Sequence, residues 1–327
     1  MNYTQELKTA LNAVKEASIL SKRVQERIDP GEAILKEDRS PVTVADFGCQ
    51  ALIRYVIRSQ FPSDGFIAEE EPHILRENQT LLSLVEKYVK MQNNKLTAKK
   101  ILNLIDSSSH GFGDSKRFWT LDPIDGTKGF LRLEQYAIAL ALLEEGEVVL
   151  GVLGCPNLPL NSNNIKNGIG SLLFAVRGKG TFQADMKGQK SKKISVDLVT
   201  DPSSAIFCES VETAHSRHEI HERITSSLGI TKQPVRIDSQ CKYALVARGE
   251  VSIYMRLSRG ENYREKIWDH AAGSLIVEEA GGRVTDFSGK KLDFTAGAEL
   301  INNRGILATN GLIHDRVLEA VLKSMQF

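Results

Sequence analysis

Two aspartates three residues apart give the clearest chemical signal in the sequence. Asp122 and Asp125 follow the apolar run 118–121, and Gly126 comes directly after them. Gly126 permits a turn that brings the backbone close to a ligand, so both carboxylates and the Ile124 carbonyl can point at one spot. Oxygen ligands of this kind suit Mg²⁺, whereas zinc favours Cys or His. The segment therefore predicts a magnesium site, although turns that bind nothing are also rich in Asp and Gly.

Three other acidic residues stand at the ends of predicted elements. Glu69 follows the short apolar run 66–68, Asp269 lies in the first turn of an apolar segment, and Asp46 begins another helix. Each of them alone is typical of a helix cap or a solvated charge. A helix beginning near Gly126 and Thr127 would in addition direct free N–H groups at a phosphate.

The elements that must position these residues follow from apolar periodicity. Helical spacing predicts helices over 7–17 and 49–57, and over 81–106 with an interruption near 93–94. Apolar runs predict strands at 66–68 and 118–121 and a hairpin of 136–143 with 148–153. Further along, strands near 172–177, 205–208, 235–238 and 251–256 alternate with helices near 215–228, 240–248 and 268–280. This order predicts a layered α+β or α/β fold.

Composition divides the chain once and excludes several classes of protein. Residues 156–170 are rich in Asn, Pro and Gly, and they predict a seam between subdomains 1–157 and 158–327. With 41% hydrophobic and 25% charged residues, the chain is neither disordered nor collagen-like. The net charge of +1 gives no general attraction to nucleic acid or membranes.

The cysteines and the first residues predict the surroundings of the protein. Cys49, Cys155, Cys208 and Cys241 are scattered, as reduced thiols would be, with no spacing typical of a disulfide framework. The first residues lack a signal-peptide pattern, and no apolar run is long enough to span a membrane. We therefore expect a cytoplasmic protein, and a monomer is one expectation for its assembly.

Taken in order along the chain, the acidic segments resemble the inositol monophosphatase superfamily. The matching blocks are 40–46, 67–72, 119–130 and 268–273, and the likeness continues to about residue 286. The resemblance implies a sandwich of alternating α-β-α-β-α layers. It also implies a phosphatase that uses two or three Mg²⁺ ions, is inhibited by lithium, and hydrolyses its substrate by in-line attack of an activated water.

Within this superfamily, segments 125–130, 135–137, 238–243 and 265–270 are similar to those of 3′(2′),5′-bisphosphate nucleotidases. That likeness implies removal of the 3′- or 2′-phosphate from adenosine 3′,5′-bisphosphate, and action also on its 5′-phosphosulfate analogue. By position it implies that the metal ions are bound by Glu69, Asp122, Ile124, Asp125 and Asp269. Asp46 and Thr127 would activate the water. The substrate would be bound by Gly126, Thr127, His215, Ser239, Lys242 and Arg256.

Two other functions stay open from the sequence. The first is an inositol polyphosphate 1-phosphatase or inositol monophosphatase, which would use the same carboxylates on another substrate. The second is a nucleotide-binding homologue without catalysis, for which Ala68, Leu133 and Glu134 are the departures from the nucleotidase pattern. Phosphate release from a bisphosphate nucleotide separates both from the main hypothesis.

Overall fold

The computed structural model describes residues 2–27, 34–35, 41–106, 116–162, 164–211, 218–257 and 263–325. Ten α-helices lie within these ranges: α1 Thr4–Gln25, α2 Val44–Gln60, α3 His73–Glu77, α4 Gln79–Lys90, α5 Ala98–Asp106, α6 Thr127–Leu131, α7 His218–Ser227, α8 Cys241–Ala247, α9 Ala271–Glu279 and α10 His314–Met325. None of the helices in the described part of the chain combines the length and the apolar character that crossing a membrane requires.

Seven of the described strands form one sheet in the order β3-β4-β5-β6-β7-β8-β9. They are β3 Gly65–Ala68, β4 Arg117–Asp125, β5 Ala137–Glu144, β6 Glu147–Pro159, β7 Ile169–Val176, β8 Gly180–Asp185 and β9 Lys192–Ile194. Only the pair β3 and β4 is parallel, and the other neighbours are antiparallel. We refer to these seven strands as the large sheet.

A second sheet, here called the small sheet, has the order β11-β10-β12-β14-β13 among the described residues. Its strands are β10 Phe207–Glu209, β11 Val235–Arg236, β12 Ile253–Arg256, β13 Arg283–Thr285 and β14 Ile306–Thr309. A separate short pair joins β1 Ile34–Leu35 to β2 Pro41–Val42 just before α2.

The alternation of side chains along the strands produces the layers. Ile138, Leu140 and Leu142 of β5 pack with α1 and α2 on one face of the large sheet. The intervening alanines 137, 139 and 141 pack with α8 and α9 on the other face, and there they also meet the small sheet. Because successive residues of a strand point to opposite faces, one strand serves both cores.

The outer face of the small sheet carries the last layer. Phe207, Ile253 and Leu307 on this face pack against Ile224 of α7 and Val317 of α10. The layers therefore run α1/α2, large sheet, α8/α9, small sheet, α7/α10. This order agrees with the alternating α-β-α-β-α layers that the sequence resemblance implied.

Several predicted elements have different bounds in the structure. Residues 81–106 form parts of two helices, α4 and α5, which are separated at 91–97, and α9 begins at Ala271 after a single 3₁₀ turn at Ile267–Asp269. The 136–143 and 148–153 hairpin is present, and its two-residue turn has positive φ at Glu145 (50°) and Gly146 (83°), as a type I′ turn requires. The predicted seam between subdomains 1–157 and 158–327 falls inside β6, a strand of the large sheet. The division into two subdomains stays a prediction.

Candidate active site

The parallel pairing of β3 and β4 places Glu69 beside Asp122. Ala68 is in register with Leu121, and the Glu69 N–H extends the pairing by donating to the Leu121 carbonyl at 3.2 Å. Parallel strands end at the same edge of a sheet. The residues that follow Ala68 and Leu121 therefore emerge together at that edge, and both are carboxylates.

A β-bulge turns Asp122 and Asp125 to the same face of the large sheet. In a regular strand, residues three apart point to opposite faces. Here Asp122 is opposite Ala139 and Asp125 is opposite Ala137, because the register shifts between the two aspartates. Both alanines belong to the core shared with α8 and α9. The two carboxylates therefore point toward the layer that holds the N-terminal ends of α8 and α9.

Asp269 approaches the same point from the other side. It ends the 3₁₀ turn Ile267–Asp269 that leads into α9. Burial, followed by the charges of Glu69, Asp125 and Asp269, raises the pKa of Asp122 well above its usual range. Burial and the charge of Asp269 raise the pKa of Asp125 to about 7, against the opposing effect of Lys242 and Arg256. The structure thus brings all four expected acidic residues into one electrostatic cluster.

These four carboxylates form a site that suits a divalent cation. Like charges that are buried together disfavour their own ionisation, and a cation among them removes that cost. All the donors are hard oxygens, which fits Mg²⁺ and not a soft metal. The Ile124 carbonyl, the fifth expected ligand, lies between the two aspartates and accepts a hydrogen bond from Thr127 Oγ1 at 3.1 Å.

A network of charged and polar side chains holds Asp269 in place. Arg256 contacts Glu265 at 2.7 Å and Asp269 at 3.2 Å, and His270 bridges Glu265 and the Tyr243 hydroxyl at 3.2 and 2.8 Å. Although burial alone would raise it, Arg256 and His270 lower the pKa of Glu265 to about 2. Glu265 is therefore a carboxylate that stays charged and holds Arg256 in place.

Glu265, Asp269 and His270 also form a geometric cluster with ligand atoms within 4.8 Å of one another. A divalent cation would be favoured more strongly on the Asp122 side of Asp269, for an electrostatic reason. Glu265 is already neutralised by Arg256, whereas repulsion adds to burial around Asp122 and raises its pKa. A cation gains most where negative charge is least compensated.

The expected substrate-binding residues lie around this cluster to different degrees. Lys242 is buried at the start of α8, and Asp125 opposes the lowering of its pKa by burial. Ser239 packs against Gly126, where an added Cβ would lie 3.0 Å from the Ser239 Cβ. Arg256 uses Nε and Nη2 for the contacts with Glu265 and Asp269, so it touches a metal-ligand candidate directly. His215 lies outside the described residues.

The two residues expected to activate water lie in the first turns of α2 and α6. Thr127 is the first residue of α6, after Gly126 in the left-handed conformation (φ 85°). Asp46 is completely buried in the first turn of α2, where its Oδ2 accepts from the Thr43 N–H and hydroxyl at 2.7 and 2.6 Å. Asp46 is thus a helix cap in this structure, and its catalytic role stays a prediction.

Two buried glutamines near the carboxylates were not predicted from the sequence. Gln50 of α2 donates to the Glu70 carbonyl at 2.7 Å and accepts from the Glu70 N–H at 3.0 Å, which fixes the chain directly after Glu69. Gln240 contacts the segments of Asp125 and Asp269. The sequence did hold one indication that Gln50 is buried. It is an uncharged amide next to the apolar stripe of α2, so no charge keeps its side chain in solvent.

The profile of the inositol monophosphatase family matches residues 3–326. The chain belongs to this family. Members of the inositol monophosphatase family are metal-dependent phosphatases, so the predicted superfamily and class of enzyme are confirmed.

Similar sequences extend over essentially the whole chain. A 3′(2′),5′-bisphosphate nucleotidase of Emericella nidulans is 42% identical over 352 residues, with 100% of both chains covered. One from Schizosaccharomyces pombe is 42% identical and covers 98% of this chain and 96% of its own. One from Oryza sativa is 44% identical and covers 98% and 94%. The sequence segments resembled those of 3′(2′),5′-bisphosphate nucleotidases, and these full-length relatives carry that name.

Solved structures show the same architecture. The IMPase of Thermotoga maritima superposes with a TM-score of 0.70 at 25% identity, and 99% of each chain is covered. An inositol monophosphatase from Anabaena gives a TM-score of 0.66 at 22% identity, with 99% and 97% covered, and this likeness concerns the fold alone. The predicted layered α/β fold class is therefore confirmed.

Proposed function

We propose that this protein is a Mg²⁺-dependent 3′(2′),5′-bisphosphate nucleotidase that converts adenosine 3′,5′-bisphosphate to AMP and phosphate, and that it also accepts the 5′-phosphosulfate analogue. The observation that carries the proposal is the convergence of buried Asp122 and half-buried Glu69, Asp125 and Asp269 in one cluster of interacting carboxylates. The names of the full-length relatives support the choice of substrate.

The acidic residues hold the ions in this proposal. Glu69, Asp122, Asp125, Asp269 and the Ile124 carbonyl would bind two or three Mg²⁺. When bound, Mg²⁺ neutralises the phosphoryl oxygens, stabilises the leaving oxygen and activates water. The carboxylates are held by the bulge of β4, the end of β3 and the turn before α9, so the ligands are positioned by three separate elements.

Thr127 and Asp46 would orient the attacking water and take its proton. The Thr127 hydroxyl donates its hydrogen to the Ile124 carbonyl, which leaves its oxygen as an acceptor directed by α6. Asp46 Oδ2 accepts hydrogen bonds from the Thr43 N–H and hydroxyl at 2.7 and 2.6 Å, which hold the carboxyl group in a fixed orientation.

The remaining groups would bind the nucleotide. Lys242 supplies a buried positive charge near Asp125, and Arg256 supplies another near Asp269. Gly126 lets the chain approach a phosphate without a side chain in the way, and Ser239 packs directly on it. Together with His215 these groups would contact the nucleotide and its 5′-phosphate, a dianion that calls for such counter-charges.

A panel of substrates tests the proposal. Purified protein is assayed for phosphate release from adenosine 3′,5′-bisphosphate, adenosine 2′,5′-bisphosphate, inositol 1-phosphate and inositol 1,4-bisphosphate, with Mg²⁺ or with EDTA. We expect the highest kcat/KM on the adenosine bisphosphates, loss of activity in EDTA, and inhibition as LiCl is added. A preference for either inositol phosphate would support an inositol phosphatase instead. Binding of the bisphosphate without release would support a non-catalytic nucleotide-binding protein.

A further inference from the structure

Gln240 is the residue at which the segments of Asp125 and Asp269 are joined. Its backbone N–H donates to Asp125 Oδ2. Its side-chain Nε2 donates to the Trp268 carbonyl at 2.9 Å, and its Oε1 accepts from the Gly273 N–H at 3.0 Å. The side chain is buried, with 2% of the residue exposed.

The two side-chain contacts lie on either side of Asp269. Trp268 precedes Asp269 in the 3₁₀ turn, and Gly273 follows it in the first turn of α9. One amide therefore closes the loop that presents Asp269, using its donor at one end and its acceptor at the other. Such a group controls where the Asp269 carboxylate points without touching it.

The backbone before Gln240 is built for the contact with Asp125. Ser239 has φ of 67°, a left-handed conformation that non-glycine residues rarely adopt. This conformation comes directly before the Gln240 N–H, while Ser239 packs on Gly126 next to Asp125. A strained backbone persists where the surrounding contacts determine it, and such positions concentrate at functional sites.

We propose that Gln240 is a positioning residue that sets the separation of Asp125 and Asp269 and thereby the affinity of the site for divalent cations. The inference rests on the proposed function, because it concerns the same carboxylates. Two like charges move apart unless they are restrained, and the Gln240 amide supplies the restraint at Asp269 while its backbone supplies it at Asp125. Groups that orient metal ligands in this way typically change metal affinity or activity by about 10- to 100-fold when they are removed.

The test replaces the amide and leaves the backbone contact in place. Gln240→Met keeps the length of the side chain and removes both hydrogen bonds, and Gln240→Asn keeps an amide that is too short to span both partners. We expect each variant to bind Mn²⁺ about 10- to 100-fold more weakly in isothermal titration, with no nucleotide present. In the assay, the Mg²⁺ concentration for half-maximal rate should rise by a similar factor, and the KM for adenosine 3′,5′-bisphosphate at saturating Mg²⁺ should change less than about twofold.

Gln183 offers a matched control elsewhere in the large sheet. It is equally buried, and its Nε2 donates to the Leu160 carbonyl at 3.0 Å and the Ser171 hydroxyl at 3.2 Å, in a part of the sheet that carries none of the four carboxylates. Gln183→Met should lower the melting temperature like Gln240→Met and leave Mn²⁺ affinity unchanged. An equal loss of Mn²⁺ affinity in Gln183→Met and Gln240→Met would mean that the loss comes from general destabilisation of the fold, and it would overturn the inference.

The remaining outcomes separate this inference from the proposed function. Wild-type Mn²⁺ affinity in folded Gln240→Met contradicts the positioning role while the nucleotidase proposal stands. If Gln240→Met does not fold, the same criterion is applied to Gln240→Asn. A wild-type protein that binds no Mn²⁺ and releases no phosphate from any bisphosphate overturns the proposed function, and the inference with it.

Discussion

Four neighbouring carboxylates, one buried and three half-buried, are costly to the protein without a cation. Asp122 is 2% exposed, and the neighbouring acids add repulsion to the cost of its burial. A folded protein tolerates such a cluster because the rest of the fold fixes it in place, and sites of this kind trade stability for activity. Replacing one of these carboxylates by a neutral side chain should therefore raise the stability of the protein and lower its activity.

Asp122→Asn is the sharpest single change for this purpose. The neutral amide keeps the shape of the protonated acid, so we expect metal-free unfolding free energy to rise by about 1 kcal/mol. Turnover should fall by at least about 10³-fold, because a central metal ligand is lost. Chemical denaturation in EDTA and phosphate release in Mg²⁺ measure the two quantities. An Asp122→Asn enzyme with most of its rate would refute the metal assignment.

Arg256 has two candidate roles that kinetics can distinguish. As a partner of the 5′-phosphate, Arg256→Ala should raise the KM for adenosine 3′,5′-bisphosphate by about 10-fold or more and change kcat less. It should leave hydrolysis of p-nitrophenyl phosphate nearly unchanged. Its 3.2 Å contact with Asp269 provides the alternative. An equal loss of kcat on both substrates would show that Arg256 acts by holding Asp269, not by binding nucleotide.

At the scale of elements, α9 shows how closely the layers must approach. The helix lies between the two sheets, and its Gly273 faces the ring of Tyr243 on α8. A Cβ at Gly273 would lie 2.3 Å from that ring, which is too close for any side chain. The same Gly273 N–H contacts Gln240, so the close packing of α8 and α9 also serves the candidate site.

Gly273→Ala should therefore destabilise the protein by about 1–3 kcal/mol, since an extra carbon in a filled core displaces its neighbours. Gly48→Ala is the matched control in α2. There the new Cβ would meet the flexible end of Leu20 at 3.0 Å, and alanine is favoured in helices by up to about 1 kcal/mol. Urea unfolding of both variants tests the difference. A Gly273→Ala protein as stable as Gly48→Ala would contradict this account of the α8/α9 contact.

The length of an element did not alone decide whether the sequence predicted it, because the short strands β3 and β10 were predicted, whereas β8 and α10 were not. The β5–β6 hairpin and α1 were predicted, because their apolar patterns are long enough to indicate an element without further information. The three-residue strands β9 and β13 were missed, since so few residues carry no period. The bulge in β4 was missed as well, because the register shift depends on pairing with β5.

At the scale of the whole molecule, the layers put chemistry at the junction between the large sheet and α8/α9. Asp122 and Asp125 come from the sheet, and Asp269 comes from the turn before α9. The sequence could name these residues through a family resemblance, and it could not provide their mutual positions. Distances between residues so far apart along the chain follow only from the packing of the layers. Gln240 was missed for the same reason.

Stability should depend on pH through His314, far along the chain from the site. His314 is buried, and its ring nitrogens contact Thr285 and Thr309 at 2.9 and 3.0 Å, which ties α10 to β13 and β14. Burial, with a further contribution from Arg283, lowers its pKa to about 4. The unfolded chain, with an ordinary pKa near 6.5, therefore takes up the proton first as the pH falls.

The stabilisation from neutral His314 is complete above about pH 6.5 and is lost as the pH falls toward 4. We expect the free energy of unfolding to fall by up to about 1.4 kcal/mol for each pH unit in this window. His314→Asn should have a lower stability at pH 7 and a shallower slope between about pH 6.5 and 4.5. His73→Asn, at an exposed position, should keep the wild-type slope. Equal slopes in all three proteins would contradict this assignment.

Anomalous diffraction from crystals of the protein grown with Mn²⁺ and AMP would show whether the four carboxylates bind divalent cations. We predict Mn²⁺ peaks bound directly to Glu69, Asp122, Asp125 and Asp269, with Asp122 and Asp125 sharing an ion. Peaks only at Glu265 and His270, or none within reach of Asp122 in a protein that hydrolyses bisphosphates, would contradict the account.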